Sequence, residues 1–368
     1  MSETFYKVIS PDRKWYWFPV FAILKLISFV YLLGHHFRLW AYRWGVFPRR
    51  RLDCRVISVG NLTLGGTGKT PFVMMIAETL RGNGFKPAIL SRGYGGKSGN
   101  PVNVVCDGKQ TLLSPEWAGD EAVMMAEKLK NVPVLTGADR YQTGQYALEH
   151  FGVDTLVLDD GFQHLALNRD LDILLFDHLR PLGNGHLFPA GELREPASET
   201  KRADMVCFTH YSGGPINFPA RILGSIPQVK THLRLDSVIR MDDEEVLDAE
   251  VLKNEPVAAF CGIAKPEGFR QILLDAQIRL KFFKAFPDHH PYTAQDIREL
   301  EAHAVKEGAR FFLLPEKDAV KLKDMKFNLP FFKVVIELEM LEGREAFNKQ
   351  LLGAGSARKR SMARGNRQ

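Results

Sequence analysis

The chain has little cysteine and no cysteine pattern. Cys54, Cys106, Cys207 and Cys261 are its four, and no two stand at the spacing of a metal knuckle or a redox pair. That excludes a disulfide scaffold, argues against zinc and fits a reducing compartment. Acidic residues are missing from the C-terminal end. Residues 346–368 hold six Lys or Arg and no acid, and residues 1–51 hold nine against two. The stretch 52–345 therefore carries a net charge of −7 inside a chain of net +6. A nucleic-acid enzyme concentrates positive charge along a groove of its body. Basic ends on an acidic body fit an anionic membrane surface instead. No nucleic-acid partner is expected, and no obligate protein partner. There is no internal repeat. Two nucleotide-fold signatures are also absent. No G-x-G-x-x-G follows the first strand pattern, which argues against a dinucleotide enzyme. No [NT]-K-x-D occurs: Asn348-Lys349 runs into Gln350-Leu351, and Lys317 is followed at once by Asp318.

What is present begins with an apolar run, WYWFPVFAILKLISFVYLLG, over 15–34. Four of the five tryptophans (Trp15, Trp17, Trp40, Trp44) lie in or just after it. Tryptophan favours the membrane–water interface, where its ring is buried and its N–H is wet. Arg13 and Lys14 flank one side, with Arg38, Arg43 and Arg49–Arg51 on the other. No small-residue cleavage site follows, so a signal peptide fits poorly. Lys25 sits mid-run and Pro19 near its start, and a charge at mid-bilayer costs ~2.5–3.5 kcal/mol. A helix lying in or dipping into the interface is favoured over a full span.

From residue 55 apolar runs alternate with helical periodicity. RVISVG, KPAILS, VPVLT, VDTLVLDD, LDILLFD and DMVCFT read as strands, with helices between. NVVCDGKQTLL (103–113) reads as a hairpin about Asp107-Gly108. Such alternation implies a parallel sheet with helices on both faces, and the phosphate-loop-like stretch over 60–71 makes that sheet P-loop NTPase-like. The expected organisation is a membrane-associating helical segment (1–51), a P-loop domain (52–214) and a linker or β-ribbon (215–254). A smaller α/β domain (255–341) and a basic, disordered tail (346–368) complete it.

The stretch GNLTLGGTGKTP over 60–71 ends like a phosphate loop. The common pattern G-x-x-x-x-G-K-[ST] would put glycine five residues before Gly68, where Thr63 stands. The mechanism survives this. Strand, glycines and helix start supply backbone N–H groups and a positive helix end for phosphate. Asn61, Gly65, Gly66, Thr67, Gly68, Lys69 and Thr70 form the nucleotide set. Lys69 can reach the β- and γ-phosphates, and Thr70 can ligate Mg²⁺. The bland alternative is a glycine-rich turn that happens to hold a lysine. Asp159 and Asp160 close the next apolar run and are candidates for the metal, or else a turn pair. Asp120 and Glu121 open a helix, where acids are favoured as caps without any chemistry. FPDHHPYTAQD (286–296) places paired histidines before another helix, as surface decoration or as a proton-transfer group. PAGELREP (Glu192, Arg194, Glu195) and SRGYGG (Arg92) are turn-rich segments that suit the walls of a site.

Taken in order, GNLTLGGTGKTP, SRGYGG, GDEAV, LDDGFQH, PAGELREP, FPDHH and EKDAV resemble the tetraacyldisaccharide 4′-kinase family over about 15–340. These are bacterial enzymes of lipid A synthesis at the inner membrane, and their loop also lacks the early glycine. The resemblance implies transfer of the γ-phosphate of ATP to the 4′-hydroxyl of a tetraacylated glucosamine disaccharide 1-phosphate, forming lipid IVA at the cytoplasmic face. It implies Lys69 and Thr70 at nucleotide and Mg²⁺, and Asp120 as general base with His289 as its partner from the second domain. Asp159, Asp160, Glu121 and Glu195 become metal candidates. A cleft in which His289 closes like a lid would suit this chemistry. One departure is Pro315, where the family has threonine before Glu-Lys-Asp. The rival reading is a membrane-associated P-loop GTPase switch. It lacks both [NT]-K-x-D and a D-x-x-G after 153–158.

Overall fold

The computed structural model describes residues 3–253, 255–263, 266–323 and 325–353. In chain order the strands are β1 (Arg55–Asn61), β2 (Pro87–Ser91), β3 (Asn103–Cys106), β4 (Val134–Thr136), β5 (Thr155–Asp159), β6 (Leu171–Asp177), β7 (Met205–Thr209), β8 (Gln228–Arg240), β9 (Val246–Asp248), β10 (Val257–Cys261), β11 (Leu280–Ala285), β12 (Phe311–Pro315) and β13 (Phe331–Glu342). The helices are α1 (Glu3–Ile9), α2 (Phe18–Arg43), α3 (Lys69–Gly82), α4 (Pro115–Ala118), α5 (Asp120–Lys128), α6 (Arg140–Phe151), α7 (Ala220–Leu223), α8 (Pro266–Asp275), α9 (Ala294–Lys306) and α10 (Glu316–Ala319). A further helix covers 344–353.

The chain divides into two compact units. One holds Met1–Leu90, Asp139–His232 and the chain from Met340 on; the other holds Ser91–Ala138 and Leu233–Glu339. The domains expected from the sequence follow chain order. The units do not, because 91–138 leaves the first set of strands and packs with the later one.

In the first unit the strand order is β8-β7-β6-β1-β5-β2, and each neighbouring pair is parallel. β1, β5, β6 and β7 are buried along their whole length, which is why they read as unbroken apolar runs. Val59 pairs with Asp159, so the glycine loop and the two aspartates leave adjacent strands at the same end. Gly60 has a packing reason. A Cβ there would lie 2.5 Å from Cβ of Phe162.

The helix over 344–353 corrects the expected tail. Phe347 and Leu351 are buried, Phe347 meets Phe72 edge-on at 5.8 Å, and Arg55 donates to the carbonyls of Gln350 and Leu351. Apolar residues four apart form one helical face, and that pairing outweighs the basic composition nearby. The rest of the expected tail, 354–368, lies outside the described residues.

α2 is one continuous helix, longer than the apolar run that announces it. Pro19 stands in its first turn, where the missing N–H is no loss, so it does not break the helix. It is the one helix among the described residues long and apolar enough to cross a membrane, by length and composition. Its buried positions, Phe21, Ser28, His35 and Ala41, follow a narrow stripe. Ser28 Oγ donates to the Leu187 carbonyl and accepts from the Ala190 amide, both at 2.9 Å. Tyr31 Oη donates to the Arg194 carbonyl at 2.7 Å, and Arg38 to that of Gln163 at 2.7 Å. Ile23, Leu26, Phe29, Val30, Leu33 and Phe37 remain exposed.

In the second unit β11-β10-β12-β13 form a parallel set, with the later part of β8 beside β13 and β9 antiparallel to β8. Side chains alternate across it. Val257, Ala259 and Cys261 face a core with Phe269 and Leu273 of α8. Ala258 and Phe260 face another with Ile297, Leu300 and Ala304 of α9. β3 pairs antiparallel with β4, so the arrangement is mixed rather than purely parallel. The expected hairpin at 103–113 shrinks to a turn with one bridge, Cys106 to Thr111.

Candidate active site

The phosphate loop of the first unit is built as its residue types require. Gly65 and Gly68 have φ of 101° and 71°, the left-handed region where only glycine is unstrained. The loop is held down by main-chain bonds. The Leu64 amide donates to the Glu192 carbonyl at 2.7 Å, and the Arg194 amide to the Leu62 carbonyl at 2.7 Å. Thr209 Oγ1 donates to the Thr67 carbonyl at 3.0 Å. Asn61 sits under the loop, donating to the Thr63 carbonyl at 2.8 Å and accepting from Lys69 Nζ at 3.3 Å. Gln163 in turn donates to the Asn61 carbonyl at 3.0 Å. Thr70 is buried in the first turn of α3.

Asp160, with φ of 53°, lies between two cations. Lys69 Nζ is 3.5 Å from Oδ1, and Arg194 Nη1 is 2.7 Å from Oδ2. Burial pushes its carboxyl up, but Lys69 and Arg194 outweigh that and hold it below the usual range. Asp159 is buried at the end of β5. Thr70, Asp159 and Asp160 offer a hydroxyl and two carboxylates, oxygen ligands of the kind Mg²⁺ takes. Asp160 Oδ1 is buried, with the Lys69 ammonium 3.5 Å away, a spacing that suits a ligand position. The residues fit the ion.

Two other metal candidates have different surroundings. Glu195 pairs with Arg202, and burial raises its carboxyl despite that cation. It groups with His35 and Glu199, ligand atoms all within 4.8 Å. Glu121 belongs to the second unit, where Lys317 Nζ lies 3.2 Å from it.

The second unit brings together two residues that stand 169 positions apart in the chain. His289 Nδ1 lies 3.0 Å from Asp120 Oδ2. Both residues belong to one unit, whereas sequence order suggests a partner arriving from a second domain. Asp120 is the first residue of α5, after Gly119, where the helix dipole favours an anion. Gly119 and the SRGYGG turn touch backbone to backbone. A Cβ on Gly119 would lie 2.5 Å from the Tyr94 carbonyl, and one on Gly96 2.4 Å from that of Trp117. The Tyr94 ring stands 5.7 Å from that of His289. His289 has φ of 59°, and its amide donates to the Gly262 carbonyl at 3.1 Å.

A residue that sequence reasoning passed over completes the group. Lys321 Nζ lies 3.0 Å from Asp120 Oδ2 and 3.0 Å from Asp318 Oδ1. Burial pushes the Asp120 carboxyl up; the bond to His289 and the charge of Lys321 outweigh it and hold it below the usual range. Only its place three residues beyond Asp318 in EKDAVK could have signalled Lys321.

A glycine loop between a buried parallel strand and a helix start, with lysine and aspartates at the same sheet edge, defines a P-loop phosphotransferase. Comparison gives the particular branch: the family model for LpxK, tetraacyldisaccharide-1-P 4′-kinase, matches residues 20–355, and the chain belongs to that family. The tetraacyldisaccharide 4′-kinase of Syntrophus aciditrophicus is 42% identical over 339 residues, covering 88% of this chain and 90% of that protein. That of Desulfotalea psychrophila is 41% identical over 319 residues, covering 85% and 91%. A crystal structure of LpxK from Aquifex aeolicus in complex with ATP is 33% identical, with a TM-score of 0.76 over 91% of this chain and 99% of that one.

Proposed function

We propose that the chain transfers the γ-phosphate of ATP to the 4′-hydroxyl of a tetraacylated glucosamine disaccharide 1-phosphate, and that its two residue sets divide the work. The loop amides from Gly65 to Thr70 and the Lys69 ammonium hold the phosphates and offset charge on the transferred group. Thr70, Asp159 and Asp160 would hold Mg²⁺, which neutralises phosphate charge when bound. Asp120 accepts the proton as the acceptor oxygen bonds to phosphorus and the bond to the leaving ADP oxygen breaks. His289 orients Asp120 and shares the proton. The exposed apolar face of α2, flanked by arginine, meets lipid, and the setting is the cytoplasmic face of a bacterial inner membrane.

The observation that carries this reading is the 3.0 Å bond between Asp120 and His289, since a carboxylate oriented by an imidazole is suited to taking a proton from a hydroxyl and a nucleotide switch has no use for one. The experiment is ATP-dependent phosphorylation of the acylated disaccharide 1-phosphate. Lys69→Ala and Asp120→Ala should each lower the rate by two orders of magnitude or more, about what one essential group contributes. Full activity in either, or strong preference for GTP in competition binding, would overturn it.

A further inference from the structure

We infer that Lys321 is a positioning residue for the proton-accepting carboxylate, fixing which oxygen of Asp120 faces the acceptor. The inference rests on Asp120 as the base. His289 Nδ1 and Lys321 Nζ both lie 3.0 Å from the same atom, Oδ2. A carboxylate held by one donor can rotate about its terminal bond and exchange its oxygens. Two donors approaching one oxygen from different elements remove that freedom and commit Oδ1 to the acceptor hydroxyl.

The lysine is itself held rigidly. Its side chain is 10% exposed and also contacts Asp318, whose side chain is fully buried. Asp318 Oδ2 accepts from the Gly262 amide at 2.7 Å. The Gly262 carbonyl accepts from the His289 amide at 3.1 Å. The contacts close a ring, from Gly262 through Asp318, Lys321, Asp120 and His289 back to Gly262. One residue at the end of β10 thus sets the position of both donors. Glycine is required at that hub, because a Cβ on Gly262 would lie 2.8 Å from Tyr292 Oη and 3.3 Å from Asp318 Oδ1. Lys317, on the same motif, is turned to Glu121 and Asp288 instead. Lys321 therefore answers to Asp120 and Asp318, and it acts on the reaction through Asp120.

The test uses the full chain in detergent with ATP and acylated disaccharide 1-phosphate, and reads kcat and KM separately. Lys321→Ala leaves Asp318 without its cation, so the double variant Lys321→Ala/Asp318→Asn, which removes that buried charge, is measured beside it with a thermal transition for each. Both should lose kcat by about 10- to 100-fold, the range a small misplacement of a catalytic group produces, with KM for ATP and for acceptor within about twofold of wild type. Lys321→Arg should recover most of the rate. Because both donors are needed to hold one oxygen, His289→Ala/Lys321→Ala should fall less than the product of the single losses. If Asp120→Ala keeps its activity, the base reading fails and the inference with it. If Asp120→Ala is inactive but the double variant turns over at the wild-type rate, the inference alone is overturned, and Lys321 serves only to neutralise Asp318.

Discussion

The two residue sets are held in place by different physics. The phosphate loop of the first unit is positioned by main chain: left-handed glycines and amide–carbonyl bonds to 192–194 fix it before any side chain is counted. The proton site of the second unit is positioned by side chains: an imidazole and an ammonium converge on Asp120, with a buried aspartate behind the ammonium. A backbone cradle suits a ligand that arrives carrying its own charge. A carboxylate held by side chains suits a step in which one oxygen must point in one direction.

The sharpest way to break this contrast separates nucleotide binding from turnover. Asp120→Asn should lower kcat by about 10²- to 10⁴-fold while ATP affinity by competition stays within about twofold. Lys69→Ala should weaken ATP binding as well as turnover. Equal loss of ATP affinity in both would erase the distinction. Phe347→Ala tests whether the helix over 344–353 is part of the first unit's frame. With Phe347 buried against Phe72, the loss should be about 3–5 kcal/mol in denaturant unfolding, and a loss under 1 kcal/mol would mark the helix as dispensable.

Gly262→Ala probes the other side. Overpacking against Tyr292 and Asp318 should cost about 1–3 kcal/mol and slow turnover, leaving ATP affinity unchanged. The last effect is seen only on acidification and concerns His164 of the first unit. Burial, reinforced by Arg140, lowers its imidazole from 6.5 to about 4. The unfolded chain therefore takes up a proton that the folded one refuses, and stability should decline as pH falls from 6.5 towards 4 and then level off on this account. His164→Gln should flatten that segment of the urea-midpoint profile; an unchanged slope would refute the assignment.

How much of this was legible depends on sequence distance. The loop, Lys69 and the Asp159-Asp160 pair are contiguous features of adjacent parallel strands, and a period-two or period-3.6 reading finds them. Asp120 and His289 meet through tertiary contacts, among them the His289 amide donating to the Gly262 carbonyl. Nothing in their spacing announces that, and it took the family resemblance to pair them. Lys321 was invisible for the same reason, being a single charge in a charged segment. The basic composition of 346–368 concealed Phe347 and Leu351, whose spacing of four was the available sign of a buried helical face.

The stripe of Ser28, Tyr31 and Arg38 has a consequence for α2. A helix on a flexible leash would let the body tumble beneath whatever surface the helix enters. Here the same helix grips the carbonyl of Arg194, whose guanidinium holds Asp160, and the carbonyl of Gln163, whose amide holds Asn61 beneath Lys69. A bilayer that took up the exposed face of α2 would fix the tilt of the phosphate loop in the same act, so anchoring and aiming would become one degree of freedom.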